Sequence, residues 1–130
     1  LYQVIFYLAP GDYHRFHSPS DFEVITTSKY QGAMYPVNLP AIEKYGGTIY
    51  EKIERVLVEG RSWNGYLCMA LVGAFNVGTI VVHPKEKFEM GEELGMFKLG
   101  STVVMHFEAP PNTKINLQEG QKVRYGDVIF

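Results

Sequence analysis

The 130 residues are expected to fold as one mainly β domain, an antiparallel sandwich or barrel carrying one or two short helices. Three observations lead there. Short runs of β-branched and aromatic residues recur along the chain, turn-forming Gly, Pro and Asn separate them, and only one stretch keeps helical spacing. Frequent short strands joined by tight turns favour antiparallel sheets, because parallel pairs need long crossovers.

Tyr2 to Leu8 is the first strand, ended by Ala9-Pro10-Gly11-Asp12. Phe22 to Thr27 reads as the second and Glu54 to Glu59 as the third, closed by Gly60. Ser62-Trp63-Asn64-Gly65 then reads as a hairpin turn, since Asn-Gly readily adopts the twist such turns need. Tyr66 to Val72 and Val77 to His83 are two buried strands, with Gly73 and Gly78 as punctuation. Helical spacing is confined to Pro40 to Lys52, where Gly46-Gly47 interrupts it. The tail reads as further β runs, Val103 to Phe107, Ile115 to Leu117 and Gln121 to Phe130, with tight turns at Gly120 and Gly126.

Composition narrows the function classes. Apolar residues make up 46% and charged residues 20%, which excludes a disordered tail. No stretch reaches the ~20 apolar residues of a transmembrane helix. The formal charge of -2 and the lack of a Lys/Arg cluster give no reason to expect nucleic acid or electrostatic membrane docking. The single Cys68 sits in an apolar run, so an intrachain disulfide and a multi-Cys zinc site are excluded and a buried, inert thiol is expected. Leu1 to Leu8 lacks the basic flank and cleavage site of a signal peptide, and the mid-strand start reads as a fragment.

Two clusters carry chemistry. Tyr7 to Pro19 places His14, His17, Asp12, Arg15 and two aromatics in a loop after a strand. Histidine titrates nearest neutrality, so the pair suits proton transfer, while the plainer reading is a structural loop. Asp12 is expected to cap a turn and Arg15 to be solvated. His14 and His17 lack a third ligand for zinc, and His83 and His106 have no suggestive spacing. The second cluster is Gly95 to Val104. It is neither a nucleophile elbow nor a phosphate loop. A Gly before Ser does permit a strained backbone in which the hydroxyl reaches the preceding carbonyl, given a neighbouring base.

Ala9 to Pro19, of the form A-P-x-D-Y-H-x-x-H-x-P, resembles the histidine motif of phosphatidylserine decarboxylases, and Leu99-Gly100-Ser101-Thr102 resembles their L-G-S-T self-cleavage motif. Pro36-Val37-Asn38, Val72-Gly73-Ala74, Asn76-Val77-Gly78, Gly91 to Gly95 and Phe107 to Pro110 follow the family order over almost the whole chain. The resemblance implies attack of the Ser101 oxygen on the Gly100 carbonyl, an ester, β-elimination to dehydroalanine, and hydrolysis to a pyruvoyl group with release of ammonia. Residues 1–100 would become a larger β chain and residues 101–130 a small α chain, paired as a heterodimer. His17 matches the base for self-cleavage, and His14 matches an active-site His of the decarboxylation step.

The cofactor implied is the covalent pyruvoyl at Ser101, with no pyridoxal phosphate and no metal. The implied substrate is phosphatidylserine at a membrane surface, the product phosphatidylethanolamine, the assembly a homodimer, and the location a mitochondrial or bacterial inner membrane. Two departures stand out. The family's triad Asp lies upstream of the His motif and is not in this chain, and the interval Val81 to Met90 is shorter than usual, which leaves open a short loop or missing residues. Other readings are a pyruvoyl decarboxylase of a free amino acid, a non-catalytic lipid-binding relative with an intact Gly100–Ser101 bond, and a plain β domain.

Overall fold

A computed structural model describes residues 1–30, 54–73, 80–98 and 101–129. The described residues are antiparallel β and contain no helix. Nine strands run in chain order as β1 (Tyr2–Leu8), β2 (Arg15–His17), β3 (Phe22–Tyr30), β4 (Arg55–Ser62), β5 (Gly65–Val72), β6 (Ile80–Val82), β7 (Lys87–Phe88), β8 (Glu93–Phe97) and β9 (Ser101–Phe107). They form a six-stranded sheet, β1-β9-β5-β4-β3-β7, and a three-stranded sheet, β2-β8-β6.

One hydrophobic cluster joins the sheets. Phe16, Leu94 and Phe97 enter it from the small sheet and Val58, Leu71 and Met105 from the large one. On β9, Val103, Met105 and Phe107 face this core, and the two-residue period of a strand puts Ser101 on the same face. Phe97 is 2% exposed and packs 5.0 Å, ring to ring, against Phe16. Phe97→Ala is therefore expected to lower stability by about 3–5 kcal/mol, read as a fall in the urea midpoint.

The expected strands at 2–8, 22–27, 54–59, 66–72 and 103–107 are present, with β3 running on to Tyr30. The 77–83 strand is seen as Ile80–Val82, residues 77–79 lying outside the described residues together with the proposed helix at 40–52. The hairpin turn falls on Trp63-Asn64 between Ser62 and Gly65. Its positive φ, 118°, is on Gly65.

Two elements differ from expectation. Residues 115–117 and 121–129 form no strands. Their backbone is satisfied locally instead, by Gln118 N–H to Gln121 Oε1 at 3.0 Å and Arg124 N–H to Asp127 Oδ2 at 2.8 Å, and side chains that bond nearby backbone compete with ladder formation. Gly120 and Gly126 do mark turns, each with positive φ. Conversely, Gly95 lies inside β8. A Cβ there would stand 2.1 Å from the Val81 carbonyl oxygen and 2.6 Å from the Phe16 ring, so its bareness lets β6 and Phe16 close on β8. Within the short interval 81–90, β7 pairs with β3, and Met90 N–H donates to Asp21 Oδ1 at 2.9 Å.

Candidate active site

Strand pairing delivers the histidine loop to Ser101. Leu8, the last residue of β1, is the Cα partner of Ser101. The chain then reverses at Ala9–Asp12, where Asp12 N–H donates to the Ala9 carbonyl at 2.9 Å and its carboxylate accepts from Ala9 N–H at 2.9 Å. Asp12 thus has the turn-capping role expected of it. The loop rejoins the sheet at His14, whose carbonyl accepts from Phe97 N–H at 2.8 Å. Three residues separate Phe97 from Ser101, so their Cα atoms are at most about 14 Å apart. Loop 9–13 and link 98–100 are therefore tied to the same two anchor pairs. Gly100 itself lies outside the described residues.

Ser101 is 0% exposed and its Oγ has no hydrogen-bond partner among the described residues. Leaving a buried hydroxyl unpaired costs about 1–3 kcal/mol; Thr102 Oγ1 beside it is likewise buried and without a partner among the described residues.

The two histidines are held differently. His14 Nδ1 contacts the Asp12 carbonyl. A carbonyl only accepts, so Nδ1 carries the proton and Nε2 keeps its lone pair. That Nε2 is buried and without a partner among the described residues. His17 Nδ1 donates to the Gly91 carbonyl at 2.9 Å, which fixes the same tautomer, but its Nε2 accepts from the Tyr13 hydroxyl at 2.7 Å. Tyr125 stacks on His17 with ring centroids 4.1 Å apart, and Tyr13 stacks on Tyr125 at 5.5 Å. Partial burial first, then the neighbouring Tyr125 and Glu93, hold the Tyr13 phenol above its ordinary pKa, so it stays a donor.

Arg15 is not simply solvated. Its Nη1 donates to Glu93 Oε1 at 2.8 Å, while Glu93 Oε2 binds His83 Nε2 at 2.6 Å. The His83 hydrogen bond, and then that of Arg15, hold the Glu93 carboxyl below its ordinary pKa. A folded-state pKa depressed in this way adds stability above the unfolded value that is lost as pH falls through the folded one. Glu93→Gln should accordingly show a shallower loss of melting temperature than the parent as pH drops below about 4.3, in a thermal-melt series across pH.

Sequence reasoning missed Tyr125 and the Glu93 bridge. Tyr125 lies in an irregular tail and Glu93 in what reads as a turn, so neither carries a local signal. Cys68 is buried, and burial pushes its thiol pKa up, in line with an inert residue. Among the described residues no group of three or more His, Cys, Asp or Glu could hold a metal ion, and no helix is long and apolar enough to cross a membrane.

A sequence profile described as phosphatidylserine decarboxylase matches residues 1–130. The chain is 36% identical over 157 residues to the mitochondrial phosphatidylserine decarboxylase proenzyme of Cricetulus griseus, covering 99% of this chain and 38% of that protein. It is 38% identical over 130 residues to the phosphatidylserine decarboxylase proenzyme of Bacillus subtilis (strain 168), covering 98% and 49%. With the mitochondrial proenzyme 1 of Schizosaccharomyces pombe, identity is 36% over 157 residues, covering 97% and 36%. The chain thus spans between about a third and a half of the length of these relatives. No solved structure gives a significant match.

Proposed function

The chain belongs to the phosphatidylserine decarboxylase family, and from that premise we propose that it is the catalytic part of an enzyme converting phosphatidylserine to phosphatidylethanolamine. Its cofactor is a pyruvoyl group made by self-cleavage between Gly100 and Ser101. Residues 1–100 then supply the larger chain and residues 101–130 the smaller. The relatives are named as proenzymes, which supports maturation by cleavage, and two of the three described above are named mitochondrial.

The observation that carries the reading is the Ser101 hydroxyl, fully buried at the first residue of β9 and without a hydrogen-bond partner among the described residues. In water such a hydroxyl would be solvated and a poor nucleophile; kept dry, it needs only a base to accept its proton. His17 takes the hydroxyl proton as the Ser101 oxygen bonds to the Gly100 carbonyl carbon. The peptide C–N bond then breaks, leaving an ester. Loss of the Ser101 Cα proton expels the Gly100 carboxylate, and water releases ammonia from the remaining enamine.

These residues fit a pyruvoyl group: Ser101 is buried and supplies its carbon atoms, and His14 Nε2 is a buried lone pair with no partner among the described residues. When formed, the group supplies an electron sink for loss of carbon dioxide from an amine-bearing substrate. His14, protonated on Nε2, donates the proton that replaces the departing carboxylate. The hydrophobic cluster at Phe16 and Phe97, two strand residues beside the histidines, excludes water from the core side.

The test is the intact mass of the denatured full-length protein. Two fragments parting between Gly100 and Ser101, the smaller blocked at its amino end, are expected. One stable, uncut mass overturns the proposal. Assay of the cut protein on phosphatidylserine vesicles and on free aromatic amino acids then separates the lipid substrate from a soluble one.

A further inference from the structure

We propose that Tyr13, backed by Tyr125, is a positioning residue that holds the proton-accepting nitrogen of His17 occupied in the uncut chain. The proposal rests on the reading of His17 as the base for self-cleavage. Two hydrogen bonds define the imidazole: Nδ1–H to the Gly91 carbonyl at 2.9 Å and Tyr13 O–H to Nε2 at 2.7 Å. The first leaves Nε2 as the basic atom; the second fills its lone pair. That lone pair is the one that must receive the Ser101 proton, so the Tyr13 bond and proton transfer exclude each other. Tyr13 is half-exposed, so its hydroxyl can swing off into solvent.

Tyr125 fixes the orientation in which the bond is made. Its ring lies 4.1 Å from His17 at an interplanar angle of 29° and 5.5 Å from Tyr13 at 24°, forming a three-ring cluster. Tyr13 comes from the loop before β2 and Tyr125 from the tail after β9, so the cluster ties the two sides of the Gly100–Ser101 bond together at the base itself. Offset ring pairs of this kind contribute beyond their buried area and limit rotation of the imidazole.

Tyr13→Phe keeps the ring stack and removes only the hydroxyl. In the full-length protein it should speed self-cleavage about fivefold, the rate equivalent of one ordinary hydrogen bond. Tyr125→Leu, which loosens the ring, should speed it by a smaller factor. A second readout does not depend on cleavage. In an uncut Ser101→Ala background, nitrogen-15 NMR should show His17 with Nδ1 protonated and Nε2 as a hydrogen-bonded acceptor. Tyr13→Phe should move the Nε2 resonance alone toward a free lone pair. Unchanged or slower cleavage in Tyr13→Phe overturns the proposal, as does an Nε2 resonance indifferent to the hydroxyl. If the parent with Ser101 never cuts, the decarboxylase reading fails, and the NMR comparison still decides the role of Tyr13.

Discussion

Replacing Ser101 by Ala is expected to leave the full-length protein in one piece and without measurable decarboxylase activity. Removing the oxygen removes the nucleophile for cleavage and, with it, the ester whose β-elimination gives the dehydroalanine that water converts to the pyruvoyl group. No other side chain can supply either, because the chemistry needs a hydroxyl on the residue after the scissile carbonyl. The substitution is mild for the fold: Ser101 is 0% exposed and its Oγ makes no hydrogen bond among the described residues. Ala at that site removes an unsatisfied polar group and should leave melting temperature unchanged or slightly raised. Denaturing electrophoresis over days, beside a melting curve, checks both halves. A cut Ser101→Ala protein, or a collapse in stability, would contradict the assignment.

The second large effect separates the two histidines. His17→Ala should slow self-cleavage by roughly 10²–10⁴-fold, the usual contribution of a positioned general base. His14→Ala should still cut, then turn over substrate slower by a similar factor, because its buried Nε2 meets no competing donor among the described residues. Quench-flow is unnecessary; a cleavage time course and a carbon dioxide assay on the matured protein suffice. If His14→Ala blocks cleavage and His17→Ala does not, the roles are exchanged. That outcome is a real contest, since the Phe97 hydrogen bond anchors His14 four residues before Ser101, whereas His17 is paired with Glu93, eight residues before it.

The long strands were readable because alternation and turn chemistry act locally. Tyr2–Leu8 and Ser101–Phe107 alternate or run apolar between clear breakers, and each is a strand. Three short strands were not readable. In the small sheet β2 is three residues and β8 has Gly95 at its centre, and at the edge of the large sheet β7 is two residues, so each depends on tertiary pairing that no window of sequence records. The same holds for the site. The motifs name His14, His17 and Ser101, but the Arg15–Glu93 pair joins residues 78 apart, and Tyr125 reaches His17 from a tail without regular structure. In that tail the sequence misled, because Gln121 and Asp127 satisfy backbone that alternation assigns to strands.

Ser101–Phe107 is an interior strand, flanked by β1 on one side and β5 on the other. A break just before Ser101 therefore severs connectivity without freeing a part. The shorter piece is stitched between two lengths of the longer one, and releasing it would require unzipping two ladders at once. Matured molecules should melt in a single step, refuse to trade pieces with their neighbours, and carry their newly made chain end where exopeptidases have no purchase.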